Sequence, residues 1–155
     1  MKKIALTQGQ YALVDDEDYD YLMQWRWYAK YSKGIKSSYV VSTTDKLSMH
    51  RVIMGDPKGL VIDHINHNAI DNQRNNLRIC TPAQNTCNRR TPSNNTSGYK
   101  GVYWERGQWR ARIVVNRKPK HLGYFHCKHE AAKAYNTAAK MYHGQYALLN
   151  IIEKY

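Results

Sequence analysis

Residues 1–54 break into short apolar runs separated by polar positions and read as short strands. Tyr11–Val14 predicts a strand, and Asp15–Asp18 a sharp acidic turn. Tyr19–Tyr28 fits either a short helix or a strand, with Trp25 and Trp27 as anchors of a small core. Tyr39–Thr43 and Leu47–Met54 read as a hairpin turning near Asp45-Lys46. Gly55–Gly59 is a loop by composition. The pattern then changes. Val61-Ile62 is a brief apolar strand, followed by a polar stretch from Asp63 to Asn76 holding five Asn, two Asp and two His. Leu77–Ile79 is a second brief strand. Thr81 is placed to cap a helix whose first residue is Pro82.

Residues 89–97 carry a proline and no apolar side chain, which predicts a linker. The second half is again patterned. Tyr99–Trp104, Gln108–Asn116 and Lys118–Phe125 predict three strands, with a turn at Glu105–Gly107. In the middle strand Trp109, Ala111, Ile113 and Val115 share one face, while Gln108, Arg110, Arg112 and Asn116 share the other. Lys128–His143 predicts a helix closed by Gly144. Its inner face is Ala131, Ala132, Tyr135, Ala138, Ala139 and Tyr142, and its alanines let it lie close over the Trp109 face. The fold class is therefore α+β: a small strand-rich region, then a three-stranded antiparallel sheet packed on one helix. The expected domains are 1–88 and 98–155, joined by 89–97.

Composition narrows the class. Of 24 Lys and Arg, 13 fall in residues 89–155, against 3 of 12 Asp and Glu, so most of the net charge of +12 lies in the second half. A basic half joined to a near-neutral half predicts that one half holds a polyanion. Thirteen Tyr and four Trp against one Phe favour wet faces, because these rings carry a polar tip. No apolar run is long enough to span a membrane, and the N-terminus lacks a signal-peptide pattern, so an intracellular protein is expected. Cys80, Cys87 and Cys127 are an odd set without close pairs. They are read as reduced thiols, with neither a disulfide framework nor a structural zinc.

Phosphodiester hydrolysis needs a base to deprotonate water and a charge to stabilise the leaving oxygen. Histidine suits the first task and a divalent cation on oxygen ligands the second. Asp63 and His64 are adjacent at a strand end, so they point to opposite sides. Asp63 can hold the cation while His64 reaches the water, and Asn85 is the best-placed second oxygen ligand.

The run Val61–Arg78, with twelve residues from His64 to Asn76 and nine from Asn76 to Asn85, resembles the core of the HNH homing endonucleases of phages and mobile introns. Met49-His50-Arg51 also resembles that family. The resemblance implies a ββα-metal core at about residues 47–88. It makes His64 the general base, Asp63 and Asn85 the metal ligands, and Asn76 the residue that ties the loop and positions His64. His50 is placed near the site, and His67 is either a phosphate contact or a solvated loop residue. The final motif position is Asn rather than His, as in the H-N-N subgroup. The implied cofactor is Mg²⁺, with Mn²⁺ able to substitute. The cysteine pairs of zinc-holding relatives are absent.

Tyr99–Tyr103, Trp109, Leu122–Phe125, Glu130–Tyr135 and Leu149-Asn150 resemble the DNA-binding domain of plant APETALA and ethylene-response factors. There a three-stranded sheet lies in the major groove with a helix behind it. Lys100 replaces a family arginine, Tyr103 stands where the plant proteins use arginine, Arg112 replaces a glutamate, and His121 replaces a tryptophan. Lys100, Tyr103, Gln108, Arg110, Arg112, Arg117, Lys118 and His121 are the expected DNA contacts, with Lys120 as a further phosphate contact. Together the resemblances imply a Mg²⁺-dependent, sequence-targeted endonuclease of double-stranded DNA, monomeric or homodimeric, working in a host cytoplasm if phage-encoded. The alternative is a DNA-binding regulator without nuclease activity. An RNA-binding protein would leave the middle motif without a purpose.

Overall fold

The computed structural model describes residues 1–31 and 38–152, which form two compact units, Met1–Pro82 and Ala83–Tyr155. The division falls just after Pro82, upstream of the segment 89–97 where the sequence placed it. Among the described residues no helix is long and apolar enough to cross a membrane.

In the first unit, β1 (Lys2–Ala5) and β2 (Tyr11–Val14) form an antiparallel pair that buries Ile4, Ala12 and Val14. The acidic run that follows is not a turn. It opens helix α1 (Asp16–Leu22), with Asp15 at the cap position and Asp16, Glu17 and Asp18 in the first turn. Carboxylates at a helix N-terminus complement its positive end, which is why four successive acids are tolerated there. The segment read as helix or strand is both in succession: α1 ends at Leu22 and β3 (Trp27–Tyr31) begins five residues on. The Trp27 indole donates to the Leu22 carbonyl at 2.8 Å and fixes that corner in the core.

β3 pairs with β4 (Ser38–Ser42), so the expected hairpin partner of β4 is wrong. The chain does turn at 42–47, where the Ser42 amide donates to the Leu47 carbonyl at 2.9 Å. It then winds into α2 (Met49–Met54), closed by Gly55 in the left-handed conformation. Met49 and Ile53, one helical turn apart, are both buried; six residues are too few to tell this spacing from alternation. β5 (Val61–His64) and β6 (Leu77–Cys80) pair antiparallel, close to expectation; α3 (Pro82–Cys87) comes next in the chain, and all of it after Pro82 belongs to the second unit. Leu22, Trp27, Val40, Met49, Ile53, Ile62 and Leu77 share one core with β1 and β2. Residues 1–46 therefore supply most of the apolar support on which β5 and β6 rest.

In the second unit, β7 (Val102–Glu105), β8 (Gln108–Val115) and β9 (Lys118–Phe125) form an antiparallel sheet in that order, backed by α4 (Lys128–His143). Ala111 packs with Ala131 and Ala132, and Ile113 with Tyr135, Ala138 and Ala139, as the alternation predicted. Tyr142 does not join them. It lies at the rim, where its hydroxyl accepts from Lys120 Nζ at 2.5 Å. β7 begins three residues later than expected, because Tyr99–Gly101 is a turn. The Ser97 hydroxyl donates to the Val102 carbonyl at 2.8 Å, and Asn95 Oδ1 accepts from the Gly98 amide at 2.7 Å. The end of the expected linker is thus an ordered side-chain-bonded turn.

Gly101 permits the closest approach in this unit. At φ 75°, a Cβ there would lie 2.1 Å from Tyr135 Cδ2 and 2.6 Å from the Arg112 carbonyl oxygen. Both the backbone conformation and the space demand glycine. Gly101→Ala is expected to destabilise the sheet–helix unit by about 3 kcal/mol or more. Chemical denaturation of the full chain reads this out, and an unchanged midpoint would contradict the packing described.

Candidate functional site

The β5–β6 ladder sets the middle of the first unit. Asp63 stands opposite Arg78 and His64 opposite Leu77. Asp63 is almost fully buried, and its Oδ2 accepts from Arg78 Nε at 2.9 Å and Nη2 at 2.6 Å. A carboxylate removed from water needs such a partner. Arg78 thereby fixes where the Asp63 carboxyl points. The guanidinium was not expected at the site, although Leu77-Arg78 lies within the quoted motif.

His64 points to the other side. Its Nε2 lies 3.2 Å from Asn72 Oδ1. Its ring meets that of His50 edge-on with centroids 5.4 Å apart, and Tyr39 lies against both, at 5.7 Å from His50 and 6.5 Å from His64. The structure thus brings His50 and His64 together and adds Asn72 and Tyr39, neither of which the motif spacing singled out. His50 Nδ1 is buried and has no hydrogen-bond partner.

The loop between the strands is stapled from inside. Asn76 Oδ1 accepts from the Asn66 amide at 3.0 Å, and its Nδ2 donates to the Asp71 carbonyl at 2.7 Å. Asn76 thus bonds at two points of the loop, Asn66 and Asp71. Asp71 in turn accepts from Asn66 Nδ2 at 2.8 Å and Gln73 Nε2 at 2.9 Å. The loop also docks on β2, through Leu13 N to the Ile70 carbonyl at 2.9 Å and Asn72 N to the Leu13 carbonyl at 2.8 Å. Arg74 is clamped from α1: Nε and Nη2 reach the two Asp18 oxygens at 2.9 and 2.6 Å, and its amide reaches Asp15 at 2.7 Å. That acidic run is the anchor of the loop, a role that fifty-odd residues of separation hid in the sequence. His67 sits at φ 61° where the chain reverses, its amide donating to the His64 carbonyl at 3.0 Å.

Asn85 lies in α3, on the far side of the division after Pro82, and is described with the second unit. Among the described residues no three His, Cys, Asp or Glu side chains gather as a metal cage.

In the second unit the outer face of the sheet is polar and aromatic. Tyr103, Arg110 and Tyr124 stand in one row across the three strands, and Arg112 stands opposite His121. The Arg112 guanidinium lies 4.4 Å from the Tyr103 ring centroid. Glu105 accepts from Arg110 at 2.9 Å and from the Tyr124 hydroxyl at 3.0 Å, and these bonds hold its carboxyl below the usual range. Gln108 pairs with Glu105 on the same face. Arg117 occupies the two-residue turn with Asn116, both at positive φ, and Lys118 starts β9 exposed beside it. Two lysines are directed elsewhere. Lys100 Nζ donates to the Cys87 and Arg89 carbonyls at 2.6 and 2.7 Å, and burial pushes its pKa down to about 8. It ties backbone together instead of lying on the sheet face. Lys120, paired with Tyr142, is held at the helix side.

A family model described as HNH endonuclease matches residues 55–87. An uncharacterized HNH endonuclease of Acanthamoeba polyphaga mimivirus is 30% identical over 153 residues, spanning 94% of this chain and 78% of the relative. Protein 3.8 of Escherichia phage T7 is 38% identical over 93 residues, spanning 59% of this chain and 76% of that protein. No solved structure matches.

Burial sets the protonation of the two histidines. His50 is pushed down to about 4, chiefly by desolvation and then by the charges of His64 and Arg51. His64 is lowered by burial against the opposing pull of the Asn72 bond, Asp63 and Asp71. His50 is neutral in the fold over a range where an unfolded histidine, titrating near 6.5, takes up its proton. Its contribution to stability is complete above pH 6.5 and is lost as the pH falls toward 4, where the unfolded chain binds more protons. For His50 the loss across that window is about 3 kcal/mol. His50→Phe is expected to flatten that part of the stability–pH curve, measured as the urea midpoint of the full chain. Parallel curves for variant and wild type would overturn it.

Proposed function

Because this chain belongs to the HNH endonuclease family and is a nuclease, we propose that it cuts double-stranded DNA at sites chosen by the β7–β9 sheet, with Mg²⁺ as cofactor, as a homing-type enzyme. The observation that carries this reading is the setting of His64: buried, neutral, bonded to Asn72, and adjacent in the chain to an aligned carboxylate.

His64 is the general base. With Asn72 Oδ1 accepting, the ring proton sits on Nε2, and Nδ1 keeps the lone pair that takes a proton from the attacking water. Asn72 fixes the tautomer, and Asn76 holds the loop from which Asn72 reaches the ring. His50 and Tyr39 limit rotation of the imidazole by packing against it. The hard oxygen donors suit Mg²⁺, which Asp63 would hold with Asn85, the latter assigned on the resemblance in sequence alone. When bound, the cation supplies positive charge at the leaving oxygen. Arg78 keeps Asp63 aimed.

With Mg²⁺ present, the wild type is expected to nick plasmid carrying its target and to stop on chelation. His64→Ala is expected to lose about 10²- to 10⁴-fold in rate with DNA binding retained. Equal nicking by both proteins would sink the assignment.

Recognition is assigned to the outer sheet face. Arg112 is the leading reader of base edges, because stacking on Tyr103 holds its planar fork before DNA arrives. Tyr103 and His121 flank it, and Gln108 extends the face. Arg110 must first leave Glu105, while Arg117 and Lys118 offer charge to phosphates. Arg112→Ala is expected to cost about 1–3 kcal/mol of discrimination at one base pair. Lys118→Ala is expected to weaken all sequences alike. Binding-site selection with each variant separates the two, and a uniform loss for Arg112→Ala would refute its role as a reader.

A further inference from the structure

The first unit has a groove that neither the motif nor the sheet accounts for. It is lined by Lys30, Tyr39, Val41, Lys46 and Ser48, with a volume of about 250 Å³. Lys30 and Tyr39 are cross-strand partners in β3 and β4, and Val41 is bridged to Ser48, so four of the five are set by strand register. Among the described residues no carboxylate lines the groove. Both lysines are exposed. Lys46 is held at its mouth by a 2.8 Å bond to the Thr43 carbonyl and lies 5.7 Å from the Tyr28 ring centroid. One bond leaves an ammonium with two further donors.

Position gives the groove its meaning. Tyr39 belongs both to the groove and to the aromatic contact with His50 and His64. A strand whose phosphate reached His64 would therefore pass this ring within one or two nucleotides. Two ammonium groups and a hydroxyl without an opposing carboxylate form a phosphate-binding surface, and the apolar floor from Tyr39 and Val41 suits the sugar edge.

We propose that the groove bounded by Lys30, Lys46, Ser48 and Tyr39 binds the phosphodiester backbone of the DNA strand beside the bond cleaved at His64. This rests on the nuclease reading above. It also gives residues 1–46 a direct part in substrate binding, beyond their support of the core.

The test uses the full-length chain in the His64→Ala background, so that binding is measured without cleavage. Affinity for a double-stranded oligonucleotide is followed against salt for the parent, Lys30→Gln/Lys46→Gln, Lys30→Arg/Lys46→Arg, and Lys133→Gln/Lys140→Gln. The last pair removes equal charge from exposed positions on α4. Loss of two phosphate contacts is expected to reduce the slope of log K against log salt by about 1.8 in the first double variant. The arginine pair is expected to retain the slope, and the α4 pair to change it much less. In the active protein the glutamine pair is expected to raise KM about tenfold or more with kcat within about twofold, the pattern of lost uniform binding. An unchanged slope, or an equal change in the α4 pair, overturns the proposal. Failure of the wild type to nick any DNA while the slope still falls would instead count against the nuclease reading and leave the groove standing.

Discussion

The side chain of Asn76 is the interaction on which the first unit depends. One amide group closes the loop between β5 and β6 from both ends, accepting from the Asn66 amide and donating to the Asp71 carbonyl. The Asp71 carbonyl is buried, so loss of the amide would leave that acceptor unsatisfied, at about 1–3 kcal/mol. Through that loop run the contacts that locate everything else. Asn72 reaches His64, the 70–72 backbone pairs with β2, and Arg74 reaches α1. The stretch that the sequence marks as a polar loop is densely bonded.

This arrangement explains why the site was partly legible in the sequence. The positions of His64 and Asn76 could be read because they are local: one ends a short strand and the other closes a loop of fixed length. Asp63 could be read as a site carboxylate, but its partnership with Arg78 appears only once β5 and β6 are in register. Asn72 was one asparagine among five, and only its distance to His64 distinguishes it. Tyr39 and the Asp18 clamp lie far from the motif in the chain, so no spacing rule could reach them. The second unit was more legible, because strict alternation in β8 and alanine spacing in α4 each name a buried face. Its errors came at the ends. Tyr142 sits on the final turn, where a helix runs past its sheet, and the start of β7 is set by Ser97 and Gly101 rather than by periodicity.

Lys100 shows how charge misleads when it is read without geometry. It lies in a basic half, in a segment resembling a DNA-binding strand, yet its ammonium is spent on two backbone carbonyls and partly desolvated. Arg112 carries the same formal charge a strand away but rests on a ring, which leaves a planar cation on the open face of the sheet. The difference is one of partners, and partners follow from the turn that delivers Lys100 to the Cys87 and Arg89 carbonyls.

The same logic applies to the net charge as a whole. Among the described residues the carboxylates are largely engaged in holding structure. Glu17 and Asp18 meet Arg74, Asp63 meets Arg78, Asp56 meets Arg51, and Glu105 meets Arg110. Each such pair neutralises one arginine and positions an element, and the surplus is left as exposed lysine and arginine at β3, at the turn before α2, and at the β8–β9 turn. A polyanion meeting this chain therefore encounters positive charge whose internal competitors are already committed. Its attraction is set less by the total of +12 than by where these paired acids are tied down. The acids fix the scaffold, and in doing so they leave Lys30 and Lys46 of the Tyr39 groove, and Lys118 beside the β8–β9 turn, exposed.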